Sequence, residues 1–137
     1  MEADRGRIIQ VISNLLNNAI KFTRREGGVV TVKVREKYDD YGEIKNDNTS
    51  KTVAMVSVKD TGSGIDSDIM SRLFEKFVSK SFQGTGLGLF ISRSIVKAHG
   101  GKIWGENNSD GKGATFYFTL PTVSNQIKQQ QNDKSDT

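Results

Sequence analysis

The 137-residue sequence has no cysteine, a single histidine (His99) and a single proline (Pro121). Without cysteine there is no disulfide scaffold, no thiolate metal site and no cysteine nucleophile. One histidine excludes a multi-histidine metal centre and leaves one imidazole for chemistry. No stretch of 18 apolar residues occurs, and the N-terminus shows no apolar segment behind a basic start, so the sequence reads as soluble, without membrane contact or a targeting signal. Aromatic residues are only 8% and are not interleaved with Lys and Arg, which argues against a base-stacking surface for nucleic acid. What is plentiful is glycine, at 14 residues, beside 34% hydrophobic and 26% charged residues and a net charge of +4. That composition is globular, the length suits one domain, and the positive balance favours anionic partners.

From Asp4 to Thr23 the apolar residues Ile8, Val11, Ile12, Leu15, Leu16, Ala19, Ile20 and Phe22 recur every three or four positions, which predicts an amphipathic helix. Gly27 and Gly28 end it, and the β-branched run Val29–Val34 predicts a strand. Arg35–Lys51 is polar and turn-rich, a solvated connection read as a long hairpin loop. Strand character returns over Thr52–Asp60, followed by a short helix and turn over Asp66–Phe77. Val78–Thr85 is a polar, mobile loop opening a second amphipathic helix that runs through Ala98 and ends at His99-Gly100-Gly101. Lys102–Glu106 and Ala114–Leu120 predict two strands joined by the turn Asn107–Gly111. Residues 1–123 are expected to form the domain and the Gln- and Lys-rich residues 124–137 a disordered polar tail. The pattern predicts an α+β fold, helices on one face of a mostly antiparallel sheet.

The first helix breaks a local rule. Asn14, Asn17 and Asn18 are poor helix formers, and rule-breaking of this kind concentrates where function asks for it. Asn14, Asn18 and Lys21 fall at i, i+4 and i+7, on one helix face, either as a solvated polar stripe or as two amide oxygens and an ammonium aimed at a ligand. Two glycine clusters follow, Asp60-Thr61-Gly62-Ser63-Gly64-Ile65 after a strand and Gly84-Thr85-Gly86-Leu87-Gly88-Leu89 before a helix. Small residues leading into a helix N-terminus present free N–H groups and the positive end of the dipole, which suits phosphate. Neither cluster is G-x-G-x-x-G and no G-x-x-x-x-G-K-[ST] occurs, which disfavours dinucleotide and P-loop folds. The stretches Arg5–Arg25 and Lys76–Lys102 hold basic residues and no acid, whereas the acids concentrate between Glu36 and Glu75. A polyanion site would require that separation.

In order and spacing these segments resemble the catalytic ATP-binding domain of two-component sensor histidine kinases. Asn14–Thr23 resembles the asparagine box of that family, Asp60–Ile65 its first glycine box, Leu73-Phe74-Glu75-Lys76-Phe77 its phenylalanine box and Gly84–Leu89 its second glycine box. Ala98–Gly101 and Gly113–Phe116 are similar to further landmarks, so the likeness covers Asp4 to Pro121. The wider superfamily includes type II topoisomerases, heat-shock chaperone ATPases and mismatch-repair ATPases. The resemblance implies a two-layer α/β sandwich of the Bergerat type, a mostly antiparallel mixed sheet with about three helices on one face and a flexible ATP lid.

It also implies roles. Asp60 would accept a hydrogen bond from the adenine amino group, which a purine bearing a carbonyl there cannot donate. Gly62 and Gly64 would let the backbone approach the base, Ile65 and Phe77 would belong to the same ATP-binding set, and Phe22 would either cover adenine or ribose or be a plain core residue. Asn18 would be the protein ligand of Mg²⁺, a hard cation that keeps water and phosphate oxygens. Asn14 would assist through water or phosphate, and Lys21 would neutralise phosphate charge. Gly84, Thr85, Gly86, Leu87 and Gly88 would cradle the phosphates, Lys80 would reach the γ-phosphate from the lid, and Thr115 would touch adenine through a water. Hydrolysing relatives usually carry a glutamate where Asn14 stands. An amide cannot take a proton from water, whereas a neutral histidine acceptor already has its lone pair. The resemblance therefore implies a protein histidine kinase in which Asn14, Asn18 and Lys21 serve transfer. The acceptor histidine would lie on a separate dimerisation domain not found in this sequence, with a response regulator downstream. A cytoplasmic location and a monomeric isolated domain go with this. A nucleotide-binding pseudokinase or interaction module and a weak ATPase are the alternatives.

Overall fold

The computed structural model describes residues 3–23, 27–38, 52–78 and 86–122. The expected lid residues Lys80, Gly84 and Thr85, most of the 35–51 connection and the 124–137 tail lie outside them. Along the chain the described elements are α1 (Arg5–Phe22), β1 (Val30–Tyr38), β2 (Thr52–Asp60), α2 (Ser67–Met70), α3 (Gly88–Ala98), β3 (Ile103–Asn107) and β4 (Ala114–Pro121).

α1 starts where the Asp4 side chain accepts the Arg7 N–H at 3.2 Å, supplying one partner to the unpaired donors of the first turn. It stops at Thr23, whose N–H returns to Ala19 and Ile20 carbonyls. The four-residue periodicity gives one buried stripe, Val11, Leu15 and Ala19, set against the sheet. α3 buries Ser92, Ile95 and Val96 in the same way. The four strands pair in the order β1-β2-β4-β3, and every pairing is antiparallel among the described residues. Alternation along β2 and β4 puts Val56, Val58, Ala114, Phe116, Phe118 and Leu120 on the helix side, where they form one core with the helix stripes and Leu73. Phe118, Leu15, Val11, Val58 and Val96 are essentially solvent-free. Each such side chain contributes about 1.5–3 kcal/mol of apolar burial, which makes this layer the main source of stability.

One strand differs from the sequence reading by more than a residue at its end. β1 continues four residues beyond Val34, because Arg35, Glu36, Lys37 and Tyr38 pair in register with Met55, Ala54, Val53 and Thr52. They are exposed on an edge strand, so polarity there reports solvent and not the end of the strand. The short helix and turn expected over Asp66–Phe77 are present as one helical turn, Ser67–Met70, followed by turns in which Arg72 N–H reaches Ile69 and Glu75 N–H reaches Arg72. Docking of Leu73 into the core sets this path.

The opposite face of the sheet carries Trp104 stacked on Tyr117, with centroids 5.2 Å apart and planes at 15°. The Tyr117 phenol is raised above its usual 10.0, first by burial and then by the neighbouring Glu106 carboxylate. A raised folded value means the proton is held more tightly in the native state. This contribution to stability is therefore intact below pH 10 and lost as pH climbs through the higher folded value. Glu106→Gln should move the phenol titration down toward 10 without bringing it there, since burial remains. An ultraviolet titration that leaves it unmoved would remove Glu106 as a cause.

Candidate nucleotide-binding site

Asp60 closes β2 and is 2% exposed, a carboxylate taken almost wholly out of water. Such a group needs donors, and Oδ1 has two: the Gly62 N–H at 2.9 Å and the Ala114 N–H at 3.2 Å. No partner for Oδ2 is found among the described residues. Two glycines let the surroundings close in. A Cβ on Gly62 would lie 2.2 Å from the Phe22 carbonyl oxygen, so the end of α1 rests directly on the first glycine loop. Gly113 has φ of 79°, and a Cβ there would fall 2.1 Å from the Asp60 carbonyl oxygen and 2.7 Å from its Oδ1.

The asparagine face of α1 meets the start of α3. Asn14 Nδ2 donates to the Gly88 carbonyl and to the Ser92 hydroxyl, both at 3.2 Å, and the Ser92 hydroxyl donates back to Gly88 at 2.8 Å. The amide of Asn14 thus fastens the two helices, a structural task beyond the water or phosphate contact expected of it. Ser92, fully buried, was not singled out in the sequence; its place four residues after Gly88 was the available signal. Asn18, one turn further along α1, is half-buried and its side chain has no hydrogen-bond partner among the described residues. Lys21 follows at the last turn of α1. α3 has no side-chain cap and no acid in its first turn, so no carboxylate of its own offsets the positive end of its dipole. Asn14→Ala should cost about 1–3 kcal/mol, because buried Ser92 and Gly88 lose a donor. Urea unfolding measures it, and an unchanged midpoint would contradict the fastening role.

Where the chain leaves and re-enters the described residues around 79–85, its ends are joined. The Phe77 N–H donates to the Gly86 carbonyl at 2.8 Å, and Phe77 itself takes φ of 63° and is largely exposed. Lys76 Nζ sits 4.9 Å from the Phe90 ring centre. Leu87 and Gly88 are half-buried at the foot of α3, and Gly64 and Ile65 lie in the loop next to Asn107.

Thr115 does not join Asp60. It pairs across the sheet with Lys59, so its side chain leaves on the face opposite to Asp60, where the hydroxyl donates to Asn108 Oδ1 at 2.5 Å. The neighbours of the carboxylate are Gly113 and the backbone of Ala114. His99 has both ring nitrogens occupied, Nδ1 with the Ile95 carbonyl at 2.7 Å and Nε2 accepting the Asp4 N–H at 3.1 Å. It ties the start of α1 to the end of α3, a structural role.

The fold thus holds a buried carboxylate with one oxygen saturated, glycines that let backbone close in on it, and an asparagine face that meets the start of α3. Residues 3–124 match the model of the Histidine kinase-, DNA gyrase B-, and HSP90-like ATPase family. The chain belongs to that family. Among curated relatives, this ATPase domain is 42% identical over 124 residues to the sensor protein FixL of Bradyrhizobium diazoefficiens, covering 88% of this chain and 22% of FixL. It is 35% identical over 142 residues to the sensor histidine kinase WalK of Bacillus subtilis, covering 99% and 20%. The domain thus spans about a fifth of either relative. A solved catalytic domain of the histidine kinase ThkA, in a nucleotide-free form, superposes with a TM-score of 0.70 at 38% identity, covering 88% of this chain and 70% of that one. Full-length ShkA in complex with AMPPNP gives 0.64 at 34% identity, covering 87% and 22%. The ATPase domain has the open antiparallel sheet and helix layer of these catalytic domains. No helix among the described residues is long and apolar enough to cross a membrane.

Proposed function

We propose that this domain binds ATP with Mg²⁺ and passes the γ-phosphoryl group to a histidine on a separate phosphoacceptor and dimerisation domain, upstream of a response regulator in the cytoplasm. The observation that carries the reading is Asn14. Its amide is tied to Gly88 and Ser92 and stands one turn before Asn18, at the place where a water-activating carboxylate would have to be. An amide takes no proton at neutral pH, so attack by water lacks a base there. A histidine acceptor brings its own lone pair, and phosphoryl transfer is then mainly positioning and charge neutralisation.

The residues suit the ligands. The free oxygen of Asp60 is an acceptor for the amino group of adenine, and Gly62 and Gly113 let the Phe22 carbonyl and the start of β4 pack close around it. Asn18 offers a hard amide oxygen without a competing partner among the described residues, as expected where one protein ligand accompanies water and phosphate around Mg²⁺. When bound, the ion neutralises phosphate charge. Lys21 and the N-terminus of α3 add positive potential, and Gly86, Leu87 and Gly88 let phosphate oxygens approach N–H groups. Lys80, Gly84 and Thr85 belong to the lid in this reading, and Phe22, Ile65 and Phe77 to the walls around base and ribose.

Calorimetric titration with a non-hydrolysable ATP analogue, with and without Mg²⁺, tests the nucleotide half, and Mg²⁺-dependent binding is the expected result. Incubation with an intact phosphoacceptor domain and labelled ATP tests transfer. Binding without labelling of any acceptor would leave an interaction module. Phosphate release well above that of Asn18→Ala would point to an ATPase.

A further inference from the structure

The sequence marks Asn107–Gly111 only as a turn, and the ATP reading uses none of it. We propose that Asn107 and Asn108 are positioning residues that aim the Asp60 carboxylate at the base; the proposal rests on the adenine site described above. Asp60 Oδ1 is held by one donor from the loop after β2, the Gly62 N–H, and one from the start of β4, the Ala114 N–H. Each of those segments is gripped by one of the two amides. Asn107 clasps the glycine loop as a neighbouring strand would: its Oδ1 accepts the Ile65 N–H at 2.7 Å and its Nδ2 donates to the Ile65 carbonyl at 3.0 Å. A Cβ on Gly64 would come within 2.9 Å of that same Oδ1, so loop and amide are fitted to each other.

Asn108 grips the other side. Its two amide protons go in different directions, to the Asp60 carbonyl at 2.9 Å and to the Lys112 carbonyl at 2.7 Å, while its Oδ1 accepts the Thr115 hydroxyl. A turn asparagine ordinarily serves only its own turn. Here that task is also done by Asp110, whose Oδ1 accepts the Lys112 N–H at 2.9 Å. The bond from Asn108 to the backbone carbonyl of Asp60, 48 residues away, is therefore surplus to the turn and holds the backbone from which the carboxylate projects. With both donors to Oδ1 held from outside, the carboxylate plane is fixed and Oδ2 faces one direction. Hydrogen bonds to a base weaken steeply with misalignment, so the two amides act on discrimination between a purine amino group and a purine carbonyl.

The test is calorimetric affinity for non-hydrolysable analogues of ATP and of inosine triphosphate, which has a carbonyl where adenine has its amino group. The wild type, Asn107→Ala, Asn108→Ala, Asp60→Asn and the double variant Asn108→Ala with Asp60→Asn are compared, each with its melting temperature. Each single alanine variant should reduce the preference for the adenine nucleotide by about three- to tenfold, through lost adenine affinity with inosine affinity nearly unchanged. In the Asp60→Asn background Asn108→Ala should cost nothing further, as expected for residues acting through one group. Variants that melt lower yet keep the wild-type preference, or lose both nucleotides equally, would overturn the proposal. A wild type without preference, together with an Asp60→Asn that binds as well, would instead sink the adenine reading itself. Should either alanine variant fail to fold, Thr115→Val, which removes the hydroxyl held by Asn108, carries the same comparison, with Tyr117→Phe as the control for the bond that hydroxyl also makes to Tyr117.

Discussion

Asp60→Asn should weaken binding of a non-hydrolysable ATP analogue by about ten- to a hundredfold, corresponding to roughly 1.5–3 kcal/mol for a hydrogen bond to a charged group. The geometry explains why an isosteric change is so costly. Oδ1 already takes two backbone N–H groups, so an amide placed to keep them must turn its NH₂ toward the base. Donor then faces donor. The opposite rotamer sets the NH₂ against Gly62 and Ala114 N–H groups, which is no better. Because the substitution preserves shape and leaves the core untouched, melting should change little while affinity falls. Equal affinity in wild type and variant would exclude Asp60 from the base contact.

Gly113→Ala should be the most damaging single-methyl change in the site. The added Cβ would stand 2.1 Å from the Asp60 carbonyl oxygen, a backbone atom that cannot rotate away, and φ of 79° is already unfavourable for alanine. Overpacking of this kind costs about 1–3 kcal/mol and left-handed backbone about 1–2, so a loss of about 2–5 kcal/mol is expected. Against a typical total of about 5–15 kcal/mol that is a large fraction. Gly111→Ala separates the two causes, since Gly111 has φ of 77° and nothing within 4 Å of its would-be Cβ. Urea unfolding of both should show Gly113→Ala clearly worse, with nucleotide affinity lost in that variant alone. Equal costs would mean that the close approach to Asp60 is immaterial.

The alanine-free polar face of α1 illustrates how far a local pattern reaches. Asn14, Asn18 and Lys21 were legible as one face because helical spacing is a local property. That Asn14 spends its donor on Gly88 and Ser92 while Asn18 is left without a partner among the described residues was not, because it depends on where α3 crosses α1. Likewise, β4 was readable from its alternation, but the same alternation sends Thr115 away from Asp60, and only the register of Thr115 against Lys59 shows it. β1 looked shorter than it is because edge residues face water on both sides and lose the apolar signal. The short helix and turn after Asp66 were legible because Ile69, Met70, Leu73 and Phe74 are apolar at close spacing, whereas the burial of Leu73 in the core is a tertiary fact.

The sequence by itself determined the two amphipathic helices, the strands of the core, the glycine-rich turns and the order of boxes that marks the family, since periodicity and glycine content act within a few residues. Only the tertiary structure decided which polar groups meet: Asp60 with the Gly62 and Ala114 N–H groups, Asn14 with Ser92, Asn107 with Ile65 and Asn108 with Asp60. Most of these bonds join segments more than forty residues apart in sequence. Those around Asp60 and Ser92 exist because burying the apolar faces of α1, α3 and the sheet leaves these groups little water to bond to, while the Asn107 clasp on Ile65 forms where register brings the exposed end of β3 against the glycine loop.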